Sequence, residues 1–168
     1  MTQGTRRVWG AILRYLPLLL TLCWLVFIFS NSLKTAEQSS ADSSTVQEIV
    51  NGIASGIGIQ TPISIQTIRK SAHFFEFGVL SLLVCADILV LYSPKKNTSR
   101  SPLLYLCSVP VCALCASGDE LLQNFSEGRG PSVSDVLIDT AGAAVATLIF
   151  MAVYITVCAV KKKKALKK

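Results

Sequence analysis

Residues 117–144 read SGDELLQNFSEGRGPSVSDVLIDTAGAA and connect two long apolar runs. Charged and amide side chains collect where those runs end: Asp119, Glu120, Gln123, Glu127, Arg129, Asp135 and Asp139. An ionised group at such a place must face water, a partner or the interior of a helix bundle. The stretch therefore predicts a helix bundle with a polar site at the ends of its helices.

The composition indicates a membrane protein. Of 168 residues, 51% are hydrophobic and 15% are charged, whereas soluble domains carry about 25% charged residues. Four apolar stretches approach the ~20 residues that a helix needs to cross the hydrocarbon core, and they cover residues 11–30, 70–92, 102–123 and 135–160. We predict a single all-α membrane domain over residues 1–168, a polytopic protein with four transmembrane helices plus a short external amphipathic helix.

The distribution of basic residues orients these helices, because cytoplasmic loops collect lysine and arginine. Twelve of the 16 basic residues precede the first helix, join the second to the third, or follow the fourth. The other four are Lys34, Arg69, Lys70 and Arg129. This pattern predicts that both termini are cytoplasmic and that the polar stretches lie on the outer face.

The first helix is interpreted as an uncleaved anchor, with a cleaved signal peptide ending near Ser30 or Ser32 as the alternative.

An external helix is predicted over residues 43–60. Apolar residues from Val46 to Ile57 recur there at helical spacing, behind possible N-cap residues at 42–44. Such a helix either lies on the outer membrane surface with its apolar stripe down or packs on the other helices as a lid. The pair Thr61 and Pro62 is a start signal for the next helix.

The second polar stretch, residues 69–76, reads RKSAHFFE and contains the one histidine of the chain. Arg69, His73 and Glu76 share a helix face by their spacing. Asp87 lies deeper on that face, and the sequence leaves open whether it is functional or reaches toward Lys95 and Lys96.

The other helices carry their own signals. Pro110 predicts a kink in the third helix. In the fourth, Asp135, Asp139, Gly142 and Ala146 share a face that is acidic at its start and small beyond. Small residues allow helices to approach closely in lipid, so this face should point into the bundle.

Several classes of function are disfavoured. The net charge of +6 lies in short flanks of apolar segments, where it indicates helix orientation and attraction to anionic lipids. We therefore expect no nucleic-acid partner. The spacing of Cys112 and Cys115 is that of half a zinc site, but all six cysteines lie in apolar segments, which favours a packing role. The motifs of P-loop, dinucleotide-binding and zinc-protease enzymes are missing from the sequence.

Three motifs in this order resemble the VanZ-like family of small bacterial membrane proteins. They are the 69–76 stretch, the segment from Asp119 to Arg129, and Ser134-Asp135 followed by Asp139 and Gly142. Asp139 is often asparagine in that pattern. The resemblance implies a bacterial plasma membrane protein that acts on the cell envelope, and the family is named for a protein that lowers susceptibility to teicoplanin, a lipid-bearing glycopeptide.

Three interpretations of the polar residues remain open. They could serve only to join the helices through polar contacts, which we call the staple interpretation. They could instead bind a lipid or lipid-linked envelope molecule, or catalyse hydrolysis or transfer on such a molecule. Candidate catalytic residues, with His73 as a base oriented by Glu76, are His73, Glu76, Asp119, Glu120 and Asp135. Candidate ligand-binding residues are Arg69, Lys70, Gln123, Arg129 and Asp139. The histidine with carboxylates could also hold a divalent cation for hydrolysis or phosphoryl transfer. The residues that would bind such a metal, any other cofactor and the oligomeric state are not assigned.

Overall fold

The computed structural model describes residues 3–92 and 101–166, with side chains at residue 12 and from residue 15 onward in those ranges. The described part contains no β-strand, which confirms the all-α prediction. It forms five α-helices: α1 (Gln3–Ser32), α2 (Ala36–Gly56), α3 (Ile65–Leu91), α4 (Ser108–Gln123) and α5 (Val133–Leu166). A 3₁₀ segment, Pro102–Cys107, leads directly into α4.

Four helical segments are long and apolar enough to cross a bilayer, as predicted. They are Tyr15–Ser32, Ile65–Leu91, Pro102–Gln123 and Val133–Leu166. Their outward-facing side chains include many large apolar residues, for example Val26, Leu114 and Leu148. Exposure of so many apolar side chains to water would be unfavourable, whereas contact with lipid tails is not, because lipid tails are as apolar as these side chains. The chain is therefore an all-α polytopic protein.

Two predicted helix starts are wrong. The N-cap of α2 is Thr35 rather than a residue at 42–44, because the Thr35 hydroxyl accepts from the Gln38 amide and the Gln38 side chain accepts from the Thr35 amide. This reciprocal capping box satisfies two donors that would otherwise lack partners. Similarly, α3 starts after Ser64, whose hydroxyl accepts from the Thr67 amide at 3.1 Å, and not at Thr61 and Pro62.

Pro110 does not interrupt an α-helix, so the kink predicted there is not required. The chain changes from 3₁₀ to α-helix at Cys107 and Ser108, so Pro110 lies in the first turn of α4. A proline nitrogen there has no helical carbonyl to bind in any case.

Helices α3 and α5 make the most extensive contact in the bundle. At its centre a side chain on Gly142 would collide with the backbone carbonyl of Phe74, and Ala146 lies near Gly78. The small face predicted for the last helix therefore does point inward. The apolar core beside it draws on α1, α3, α4 and α5, through Ile28, Phe77, Leu80, Cys112, Ala116 and Ala143.

A buried hydroxyl cluster links three helices farther along the bundle. The hydroxyls of Ser81 (α3), Ser108 (α4) and Thr147 (α5) lie 2.6–3.1 Å from one another. Each hydroxyl is thereby supplied with partners away from water. The thiol of Cys85 packs 3.6 Å from the Ser108 hydroxyl.

Helix α2 is held by polar contacts to two connecting segments, the one between α2 and α3 and the turn between α4 and α5. Gln47 Nε2 donates to the Ile63 carbonyl at 2.7 Å, Asn51 Oδ1 accepts from the Ile63 amide at 2.9 Å, and the Ala36 amide donates to the Glu127 carbonyl at 3.0 Å. The apolar stripe faces away, with Ile53 64% exposed and Ile57 73% exposed. The stripe is therefore not packed on the other helices as a lid would be.

Candidate binding site at the polar end of the bundle

Four helix ends meet at one end of the bundle, which we call the polar end. These are the C-terminal ends of α1 and α4 and the N-terminal ends of α3 and α5, because successive spans run in opposite directions. The charged residues of 69–76 and of 117–144 are thereby brought together, although they are far apart in the sequence. Asp87 lies elsewhere, where it accepts from the Thr21 hydroxyl at 2.7 Å; Lys95 and Lys96 lie outside the described residues.

The last turns of α4 hold a buried acidic pair. Asp119 is fully buried, and Glu120 and Gln123 are each 3% exposed. Gln123 Nε2 donates to both carboxylates at 3.1 Å. The Ser32 hydroxyl donates to Asp119 Oδ1, and the Ser132 amide donates to Glu120 Oε2 at 2.6 Å. These hydrogen bonds fix both carboxylates against their neighbours.

His73 faces α5 rather than Glu76. Its Nδ1 lies 3.7 Å from Asp139 Oδ1, which is too long for a hydrogen bond. Glu76 instead accepts from Asn31 Nδ2 at 3.3 Å, while its backbone carbonyl accepts from Trp24 Nε1 at 2.9 Å. The predicted orientation of His73 by Glu76 is therefore wrong, because Glu76 binds residues of α1 whereas the His73 ring faces α5.

Asp139 is fully buried, and neither of its carboxylate oxygens has a hydrogen-bond partner among the described residues. His73 Nδ1 is likewise buried and unpartnered within that part of the chain. Three possible metal-ligand atoms, one from each of His73, Asp119 and Asp139, lie within 4.8 Å of one another. We call these three residues the His73 cluster.

Arg129 lies in the turn that connects α4 to α5. Its Nη1 donates to the carbonyls of Asn31 and Ser32, at 3.4 Å each, and its buried Nε has no partner in the described ranges. Burial lowers the pKa of Arg129, as does the Arg69 charge, whereas nearby carboxylates raise it. An arginine nevertheless stays protonated in proteins. A structural role for the polar residues would pair Arg129 with Asp119, Glu120 or Asp135, but none of the ion pairs between described residues involves Arg129.

Two cavities open beside these residues. The main cavity has a volume of about 290 Å³ and a polar lining of three cations, two acids, His73, an amide and small hydroxyl residues. The cations are Lys34, Arg69 and Arg129, and the acids are Asp42 and Glu76. A small cavity of about 90 Å³ shares Arg69 and His73 with it and adds Gln66, Lys70 and Asp135. Lys70 Nζ lies 3.9 Å from Asp135 Oδ1. Glu120 and Gln123 line neither cavity.

A family model described as VanZ/LLP1 matches residues 17–155, which include all three motifs. The chain belongs to the VanZ/LLP1 family. The resemblance noted in the sequence is thereby confirmed. Comparison of this VanZ/LLP1 chain with curated proteins gave no significant match, and comparison with solved structures gave none.

Several residues that line or support the site of this VanZ/LLP1 chain were not predicted. Asn31, Ser32 and Lys34 come from the end of α1 and the residues after it, and Ser126 donates from its hydroxyl to the Ser32 carbonyl at 2.9 Å. The sequence predicts that the first helix ends at residue 30 and offers Ser30 or Ser32 as a cleavage site, so the small polar residues there were not assigned to the site. The sequence did contain one signal for them: extending the first helix through Ser32 lengthens its apolar run by about one turn and places Asn31 and Ser32 at the end of the helix.

Proposed function

We propose that this VanZ/LLP1 protein binds the anionic head group of a lipid or lipid-linked envelope molecule at the extracytoplasmic face of the bacterial plasma membrane. The excess of basic residues on the opposite side of the predicted helices supports this orientation. The main cavity would hold the head group.

One observation carries the proposal: two guanidinium groups line the main cavity and neither has a carboxylate partner within residues 3–92 and 101–166. Arg69 makes no ion pair with any described residue, and Arg129 binds backbone carbonyls only. Lys34 differs, since its ammonium lies 2.7 Å from Asp42. A guanidinium matches phosphate and carboxylate through paired N–H donors. Two free ones therefore favour an anionic ligand.

The size and lining of the cavity favour an amphiphile. A volume of about 290 Å³ is at the low end of the ~300–1,000 Å³ typical of small-molecule pockets, so it suits a head group rather than a whole lipid. Phe27 of α1 lines the cavity and is 45% exposed on the apolar side of that helix. An acyl or prenyl chain would leave the cavity past Phe27 into the surrounding lipid.

Binding at this face would change what a lipid-bearing glycopeptide meets at the cell surface. We propose on this basis that the protein lowers susceptibility to antibiotics such as teicoplanin. Growth of a host carrying the wild type or Arg69→Gln in the presence of teicoplanin tests this step separately from binding.

The binding itself is tested by mass spectrometry of lipids that copurify with the protein in mild detergent. Arg69→Gln should remove a contact to the ligand but none within the protein, since the guanidinium of Arg69 has no described partner. Loss of one charge-assisted contact weakens binding by ~1.5–3 kcal/mol, or about 10- to 100-fold. Glu48→Gln, which changes an exposed charge on α2 outside both cavities, is the control and should retain the lipid.

The staple interpretation predicts a different result. If the polar residues only join helices, Arg69→Gln should alter neither the copurified lipid nor the melting temperature. An unchanged lipid profile for Arg69→Gln would thus overturn head-group binding.

Catalysis on the same molecule is the second candidate. It is favoured by His73, which lines both cavities while its Nδ1 faces the Asp139 carboxylate at 3.7 Å. An imidazole backed by a carboxylate is suited to general base catalysis. Incubation of the purified protein with the copurified lipid should then release a product that Asp139→Asn does not form, and unchanged lipid would leave binding alone.

A further inference from the structure

We propose that the His73 cluster is a site for a divalent transition-metal cation of the Zn²⁺ or Mn²⁺ type. The inference uses residues of three helices, α3, α4 and α5. It goes beyond the proposed head-group function and does not depend on it.

The spacing of the ligand atoms fits such an ion. Zn²⁺ lies ~2.0–2.2 Å from nitrogen and carboxylate ligands in a tetrahedral arrangement, so any two of its ligand atoms are about 3.4 Å apart. The ligand atoms of His73, Asp119 and Asp139 all lie within 4.8 Å of one another. Side-chain movements of up to about 1.4 Å would bring the ligand atoms to these separations. An imidazole in the set favours transition metals, since Mg²⁺ and Ca²⁺ prefer oxygen ligands alone.

The unpartnered atoms of the cluster provide the second, independent reason. Asp139 is fully buried and both of its oxygens lack a hydrogen-bond partner within the described residues. Burying an unpaired carboxylate is strongly unfavourable. The nearby cations do not relieve it, because Lys70 lies against Asp135 and Arg129 donates to backbone carbonyls. A doubly charged cation would balance the charges of Asp119 and Asp139 together.

The surrounding hydrogen bonds suit this role. Both oxygens of Asp119 accept one hydrogen bond, from Ser32 and Gln123 respectively, and each keeps a lone pair free. Ligating carboxylates are usually oriented by such outer partners. His73 also lines both cavities, so the cation would lie beside the space proposed for the head group.

Metal content of the purified protein tests the inference. Elemental analysis of wild type in detergent should find about one Zn²⁺ or Mn²⁺ per chain. After removal by chelator, titration with Zn²⁺ and with Mn²⁺ should show one saturable site and a rise in melting temperature. Asp139→Asn keeps the side-chain shape and should weaken binding at least tenfold, and His73→Ala should act in the same direction. Glu127→Gln, which changes an exposed carboxylate outside the cluster and both cavities, is the control and should bind as wild type does.

Two further variants distinguish the His73 cluster from metal binding at the cysteines and from head-group binding. The double variant Cys112→Ser and Cys115→Ser should keep the metal, which excludes binding by thiolates. Arg69→Gln should also keep it, so loss of lipid and loss of metal are separable results. Absence of saturable Zn²⁺ and Mn²⁺ binding to chelator-treated wild type would overturn the proposal, even if every variant failed to fold. Wild-type affinity in a folded Asp139→Asn protein would do the same.

Discussion

The backbone of Gly142 lies against the backbone carbonyl of Phe74, so α3 and α5 touch there without an intervening side chain. His73 is the residue before Phe74, and Asp139 lies about one turn before Gly142 on α5. The same contact that joins the helices therefore sets the 3.7 Å separation of His73 and Asp139. Packing and site geometry are linked at this position.

Gly142→Ala should destabilise the protein. The added methyl group would collide with the Phe74 carbonyl, and overpacking of this kind costs about 1–3 kcal/mol. Gly118→Ala is the matched control, because a side chain at this helical glycine meets nothing within 4 Å and alanine favours helix by up to ~1 kcal/mol. Melting temperatures in detergent compare the two. Equal values for Gly142→Ala and wild type would contradict the close approach of α3 and α5.

Thr147→Val should weaken the bundle through the buried hydroxyl cluster. It removes the bonds of Thr147 to Ser81 and Ser108, at 2.6 and 2.7 Å. Interhelical hydrogen bonds in membranes contribute ~0.6 kcal/mol each on average, so the loss should be about 1 kcal/mol. Thr156→Val, in the same helix but exposed and bonded only to the Ala152 carbonyl, should change stability little. Similar losses in the two variants would show that the cluster has no special role.

Thr21→Val should destabilise by about 1 kcal/mol, because it removes the hydroxyl that donates to Asp87 Oδ2 and leaves a partly buried carboxylate unsatisfied. The double variant Thr21→Val and Asp87→Leu should recover much of the lost stability, since replacing both hydrogen-bonding partners by apolar groups often changes the free energy of unfolding little. A double-mutant cycle on melting temperature measures this coupling. Strictly additive effects would mean that the two side chains do not interact.

The apolar stripe of α2 should lie in the membrane interface. An environment-sensitive dye on a cysteine at position 53, in a background without the native cysteines, should show apolar emission in lipid bilayers. The same dye at Glu48, an exposed position of the same helix, should show aqueous emission. Aqueous emission at both positions would place the stripe in water and would indicate a protein partner for it.

The sequence was most informative where the signal is local. Four apolar spans follow from composition, and the inward face of α5 follows from the spacing of Asp139 and Gly142. Both depend only on helical periodicity and on the cost of polar groups in lipid.

The partners of the polar side chains could not be predicted in the same way. Whether His73 meets Glu76 or Asp139 depends on how closely α3 and α5 approach, which is a tertiary property. Likewise, the role of Pro110 depends on where α4 begins. Thr35 caps α2 in place of the residues at 42–44, because Gln38 completes the reciprocal hydrogen bonds of the cap. The residue types were informative, but the contacts across helices were not encoded in any single stretch.

Helix α5 has 34 residues and is therefore about 51 Å long, against a hydrocarbon thickness of ~30 Å. Asp139 anchors one end inside the bundle, so most of the surplus of about 20 Å extends past the other end, where Lys161, Lys162, Lys163 and Lys164 follow one another. Each such lysine near anionic phospholipid contributes about 1 kcal/mol of attraction. We expect these four lysines to help set the depth of the molecule in the bilayer, because they would hold the far end of α5 at the lipid head groups.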